Sequence, residues 1–328
     1  MINLPPVEKG AAAFEADYYG AATLIARKLG LKETPFTSAD WLHGWAADNI
    51  LDAKWISPNS GLERTILTNK ESITKYFISN SYKNIYTVGL PFLYAPVMAG
   101  TSRIPDSLLI MPPHVSTHSK SRDYDNLKAF FLDIKKYNKN YSKISVCISG
   151  SCFENEQYVN FIKDKGFDII FGAWIFDKNA LIRMKTILSS FTTIISNSVG
   201  SHLAYAAYCG TRIIMASPLD KLDFDSLAKT EPQFMRFPHL IPILKKDLIE
   251  NPPEKRFPFL FQENQCLNDL KNWADNELGA AFMKDPDFIA NLFGWFSIKV
   301  NILSEIAKPV PLLPKTWALP KNIVSAEG

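Results

Sequence analysis

Between residues 64 and 215 the chain alternates short apolar runs with longer amphipathic stretches. Arg64 to Thr68, Asn84 to Val88, Ser107 to Met111, Lys143 to Ile148, Asp168 to Phe171, Thr192 to Ile195 and Arg212 to Met215 have the length and β-branched content of strands. Glu71 to Ser79, Asp125 to Lys136, Glu156 to Lys165, Asn179 to Leu188 and His202 to Cys209 predict the helices between them. Leu127, Phe130, Phe131 and Ile134 share one face of the second of these. Gly166 and Gly210 are placed to end the third and the fifth. Ahead of this block, Ala11 to Leu29 predicts one helix with an apolar stripe, stopped at Gly30. Strand and helix in turn predict an α/β protein, with parallel sheets and flanking helices.

The glycines and prolines divide this alternation in two. Tyr94 to Pro105, holding Pro96, Gly100 and Pro105, predicts a linker. Residues 1–100 then form a first Rossmann-like domain, 101–285 a second, and 286–328 a helix and proline-rich tail lying back on the body. Beyond Pro218 the pattern loosens, although Asn268 to Leu278 predicts a helix.

Composition narrows the class. With 47% hydrophobic residues in 328, the chain has ample material for a packed core. A net charge of +3 is too small to point to nucleic acid, so no nucleic-acid partner is expected. Cys147, Cys152, Cys209 and Cys266 show no CxxC spacing, which predicts free thiols in a reducing compartment. MINLPPVEKG lacks a signal peptide's basic and apolar regions, and no apolar run reaches the ~20 residues that span a bilayer. A cytoplasmic location is expected.

The chemistry concentrates in Thr192 to Pro218, which reads strand, polar turn, short helix, strand. The first amides of a helix lack intrahelical partners, and the helix dipole adds positive charge there. Ser196, Asn197, Ser198, Gly200, Ser201 and His202 are therefore candidates to bind a phosphate. An ordinary serine helix cap is the competing reading. Ser149, Gly150 and Ser151 repeat the strand-then-turn pattern after Lys143 to Ile148. His43, followed by Gly44, is either a site residue or a structural histidine packed between Trp41 and Trp45. His114 and His118 follow the strand ending at Met111; their spacing suits a metal, but Pro112-Pro113 opposes a helix there, and no metal is expected. Asp177 is an N-cap or a carboxylate facing a ligand, and Arg183 follows it on the same helix.

The segment SNSVGSHLAYAAYCGTRI, preceded by GAWIFDKNALIRMKTILSSF, resembles the carboxyl-terminal domain of GT-B glycosyltransferases. It is most similar to proteins of bacterial capsule and lipopolysaccharide clusters. The resemblance implies two Rossmann-like domains facing a cleft. It implies a nucleotide-sugar donor, a CMP-sugar or an NDP-sugar, with its phosphate on the turn Ser196 to His202, and a glycan or lipid-linked glycan acceptor. His43 becomes the candidate base, His114 a phosphate contact, and Asp177 the candidate nucleophile for a retaining reaction. No cofactor is implied, because helix dipole and donors stand in for a metal. Relatives carry His-Pro where this chain has Ser149-Gly150, which sets the CMP assignment, and activity itself, apart from the family pattern.

Common alternatives lack their motifs: no GxSxG, HExxH, Walker A or GxGxxG occurs. Asp123-Tyr124-Asp125 matches the metal motif of GT-A enzymes only formally. Two other readings stay open, a pyruvyl-type transferase and a catalytically degenerate glycan-binding or scaffold protein. Lys245-Lys246, Lys255-Arg256 and Phe293 to Phe296 predict a peripheral contact with the inner membrane face.

Overall fold

The computed structural model describes residues 2–10, 12–113, 123–134 and 140–296. Two parallel sheets organise it. The first has three strands in the order β1 (Asp40–Trp41), β2 (Thr65–Thr68) and β3 (Asn84–Thr87). The second uses β4 (Ile104–Ile110), β5 (Lys143–Ile148), β6 (Asp168–Phe171), β7 (Phe191–Ser196) and β8 (Arg212–Met215). Its order is β6-β5-β4-β7-β8, every pairing parallel. The predicted α/β class with parallel sheets is what the chain forms.

Residue alternation in the second sheet feeds two apolar layers. Leu109, Cys147, Ile194 and Ile213 enter one cluster, with α5 (Ala180–Ser190) and α6 (Ser201–Tyr208). Leu108, Ile110, Val146, Ile148 and Ile195 enter the other, with α3 (Asp123–Ile134) and α4 (Glu156–Asp164). Both faces are therefore covered, as a continuous apolar run requires. Strand order reverses beside β4, between β5 on one side and β7 on the other. In open α/β sheets ligands collect at such a reversal, beyond the strands' carboxyl ends.

The helix predicted over Ala11 to Leu29 is broken. Glu15–Gly20 forms a 3₁₀ segment that departs from helical angles at Tyr18 and Tyr19, and only Ala21–Lys28 (α1) is α-helical. Gly20 explains the break: its φ is 78°, and a β-carbon there would lie 2.1 Å from the Lys178 carbonyl oxygen. Glycine alone fits so close a backbone crossing. The strap before it is bound to the second sheet's side, with Gly10 N–H donating to Phe176 and Tyr19 N–H to Ile175.

Exchange also runs the other way. After α2 (Glu71–Ser79) and the second sheet, the chain returns as α7 (Leu240–Glu250), α8 (Leu267–Leu278) and α9 (Pro286–Leu292). Leu90 N–H donates to Leu278, and Leu240 and Leu244 pack with Ile50. One apolar cluster holds Trp41 and Leu67 together with Ile194, Leu203 and Ala274. This cluster crosses residue 100, and Ile289, Ala290 and Phe293 from the segment after 285 enter it as well. Of the expected linker, Tyr94 is buried, its hydroxyl donating to Val88 and accepting from Lys284 N–H, whereas Pro96, Val97 and Gly100 are exposed.

Under the strap, Glu15 and Asp40 are buried together, 3% and 1% exposed. Asp40 accepts from Glu15 N–H at 3.2 Å and from the Ser60 hydroxyl at 2.5 Å, and Ser57 donates to Glu15 at 3.4 Å. Arg64 stands 3.7 Å from Asp40. Burial first, and then the Asp40 charge, push the Glu15 carboxyl well above its ordinary range. The folded state therefore holds a proton that the unfolded state releases. This contribution is complete below the ordinary carboxyl pKa and falls as pH rises toward the raised value. Glu15→Gln is expected to flatten the decline of thermal stability as pH rises above the ordinary carboxyl range. An unchanged decline in melting scans above that range would show that Glu15 does not titrate there.

Candidate functional site

The turn after β7 stands at the strand reversal. Ser196 organises it: its hydroxyl accepts from Ser198 N–H at 3.2 Å and lies 2.9 Å from His202 Nε2. Asn197 is buried, and its carbonyl accepts from Asp220 N–H at 2.7 Å. Its side-chain Oδ1 has no partner among the described residues. Gly200 caps α6 in extended backbone, with no side-chain cap. Among the described residues, the amides of Val199, Gly200 and Ser201 have no hydrogen-bond acceptor. Uncapped amides and the helix dipole together make this end a donor site for an anion.

The Ser201 hydroxyl is not part of that donor set. It accepts from Trp45 N–H at 2.9 Å, while Tyr205 donates to the His43 carbonyl at 2.9 Å. The loop after β1 is thereby docked on α6. Gly44 serves this docking, since a β-carbon there would lie 3.0 Å from Ser201 Oγ. Trp45 and Tyr205 were invisible to motif reading; their only signal was the aromatic and glycine content of Trp41 to Trp45.

His43 lies at this junction, its ring against Tyr18 and Tyr19 at 5.2 and 5.6 Å between centroids. The structure places it among these tyrosines and not between Trp41 and Trp45. Burial pulls its pKa down to about 4, and its Nδ1 has no partner among the described residues. The imidazole is neutral at pH 7 and a weak proton acceptor.

Asp177 departs from the role of nucleophile. It is fully buried, and its Oδ1 accepts from Glu8 N–H and Asn179 N–H, both at 2.9 Å. Its Oδ2 accepts from Arg183 Nη2 at 3.1 Å. The carboxylate tethers the strap to the loop before α5. Arg183, 4% exposed, is its counter-ion.

Ser149 caps the four-residue helix Gly150–Phe153, accepting from Cys152 N–H at 3.4 Å, and lies 2.9 Å from the Ser151 hydroxyl. Gly150 is required by packing, because a β-carbon would lie 2.3 Å from the Trp174 ring. His114 and His118 lie outside the described residues, as does the tail from 297 onward.

The basic and aromatic membrane patch is only partly exposed. Phe293 is buried against Trp41, and Arg256 is spent on the Ala47 carbonyl and on Asp247. Lys245, Lys246 and Lys255 remain exposed. Among the described residues no helix is long and apolar enough to cross a membrane, and no cluster of metal-ligating side chains is found.

No family model and no curated protein matches the chain. Among solved structures, it is similar to a mutant of S. aureus TarM in complex with fondaparinux, α-GlcNAc-glycerol and UDP. That match has a TM-score of 0.31 and 11% identity, over 73% of this chain and 50% of that one. AviGT4, a glycosyltransferase involved in avilamycin A biosynthesis, matches at 0.30 and 10% identity, over 70% of this chain and 62% of that one. Medicago truncatula UGT71G1 complexed with UDP-glucose matches at 0.32 and 12%, over 70% of this chain and 54% of that one. The chain thus spans 50% to 62% of the length of these proteins.

Asp177→Asn leaves Arg183 buried without its counter-charge, and breaking such a pair costs about 3–5 kcal/mol. Urea unfolding is expected to show that loss, with the strap cleaved faster by protease. Wild-type stability in the variant would show that the pair contributes nothing.

Proposed function

We propose that the chain is a glycosyltransferase that takes a nucleotide-activated sugar, with the donor phosphates on the turn Ser196 to His202. The observation that carries this reading is the set of unpaired amides at Val199, Gly200 and Ser201, located at the strand reversal of the second sheet. Backbone N–H groups and the helix dipole stabilise charge developing on a departing phosphate without reorganising. His202, in contact with Ser196, flanks the same anion. Ser149 and Ser151 end β5, two strand spacings or about 10 Å from β7. At that distance they serve the nucleoside end of the donor rather than the same phosphate. The acceptor is a glycan or lipid-linked glycan of a bacterial surface polysaccharide. Catalysis in this reading is metal-independent and cytoplasmic.

A second reading, a degenerate transferase that binds glycan without turnover, is favoured by two observations. The Asp177 carboxylate is closed off by its hydrogen bonds, and the His43 ring is a weak base. Nucleotide binding without transfer to any acceptor would select it.

Thermal-shift titration with CMP, UDP, GDP and dTDP tests the donor site. A nucleotide at 100 times its dissociation constant is expected to stabilise the fold by about 2.7 kcal/mol. Gly200→Asp places a carboxylate at the helix cap, where the backbone is extended and a β-carbon meets only the His202 ring at 3.4 Å. The variant is expected to hold or raise its own stability and to lose the nucleotide shift. An equal shift in variant and wild type would place the nucleotide elsewhere.

Membrane contact in this proposal uses the exposed Lys245, Lys246 and Lys255. Cosedimentation is expected to favour anionic over neutral vesicles and to weaken with salt. Equal partitioning onto both would remove the electrostatic contact.

A further inference from the structure

A pocket of about 440 Å³ opens between the strap, α1, the loop 31–37 and the segment after β6. That volume falls in the range of small-molecule sites, about 300–1,000 Å³. At its margin Phe36 is 73% exposed, more than any other aromatic side chain among the described residues. The ring is held from one side by Phe14, at 5.4 Å and 81°, and Phe14 is itself covered by the Arg64 guanidinium at 4.5 Å. Beside a pocket, such a ring offers an apolar face to a ligand.

The charges around the pocket balance. Arg27, Lys32 and Lys178 face Glu8, Asp17 and Glu33. Glu8 bridges Arg27 at 3.0 Å and Lys178 at 2.9 Å, so both cations are engaged. Asp17 accepts the Ala13 and Phe14 amides, each at 3.1 Å. The Thr23 and Thr34 hydroxyls lie 3.0 Å apart on the wall. Glu33 has no protein partner among the described residues and is free to accept from hydroxyls. Among the described residues Lys32 and Glu33 are the pocket charges without a protein partner, so the uncommitted charges cancel and do not select for an anion. A polyhydroxylated neutral ring meets what it needs: an apolar surface for its C–H face, with hydroxyl and carboxylate acceptors around it.

We infer that this pocket is a saccharide site, taking a neutral glycan stacked on Phe36 with its hydroxyls directed to Glu33 and the threonines. The segment holding Phe176 and Lys178 follows β6, three strand spacings or about 14 Å from β7. The sugar therefore binds on the same edge of the sheet as the donor turn but apart from it. Its role as acceptor rests on the glycosyl-transfer reading; its binding does not.

The test is an array of immobilised neutral, amino-sugar and uronate oligosaccharides, probed with the full chain without nucleotide. Wild type is expected to retain a neutral class. Phe36→Ala should weaken that binding at least about tenfold, the order expected for a buried aromatic contact, while Phe36→Trp retains it. Glu33→Gln should weaken it while leaving the melting temperature unchanged. Retention of no neutral glycan overturns the proposal, as does retention unaffected by Phe36→Ala. Displacement of the bound glycan by CMP or UDP in the Gly200→Asp variant also overturns it, because the pocket would then be a nucleotide's. Failure of nucleotide binding in the thermal-shift series alone leaves the saccharide site standing and removes the donor assignment.

Discussion

The docking of the loop after β1 onto α6 governs the architecture. Three hydrogen bonds define it: Trp45 N–H to the Ser201 hydroxyl, that hydroxyl to the Trp45 carbonyl, and the Tyr205 hydroxyl to the His43 carbonyl. Behind them the Phe92 and Tyr205 rings stack at 3.8 Å and 4°. The first sheet cannot bury its inner face alone. The first has three short strands, and its Trp41 and Leu67 share one apolar cluster with Leu203, Ala204 and Ala274. Burial of that shared surface is what requires the strand ends of the first sheet to meet α6.

This constraint decides which groups remain for chemistry. Ser201 gives its hydroxyl to the docking contact, so the donors left at the start of α6 are backbone amides rather than this serine side chain. Amides fixed at a helix end are already oriented, which is the property that electrostatic stabilisation of a phosphate needs. His43 is held where burial keeps it neutral, and its carbonyl, not its ring, contacts α6. His43 is thus an organiser of the junction.

The strap carries a second consequence. Glu8 to Gly20 crosses from the second sheet's side to the first, tethered at Asp177 and buried at Glu15. It closes one wall of the pocket beneath Phe36 and orders the tyrosines around His43. Charge pairs that motif reading assigns to a ligand are spent on holding it.

Local chemistry was sufficient for the elements. Lys143 to Ile148, Asp168 to Phe171, Arg212 to Met215 and Glu71 to Ser79 form at the residues where periodicity places them, because strand and helix patterns are written in neighbouring side chains. The turn after β7 was legible for the same reason. What stayed hidden depends on distant partners. Asp177 reads as a cap or a reactive carboxylate until Glu8 and Arg183 arrive to close it. Tyr18-Tyr19 reads as helix until Gly20 crosses Lys178. The sequence by itself determined the parallel α/β class and an amide-lined turn at a strand end. Tertiary structure decided which polar groups face a ligand, because burial and long-range pairing consume hydrogen-bonding capacity that no local pattern records.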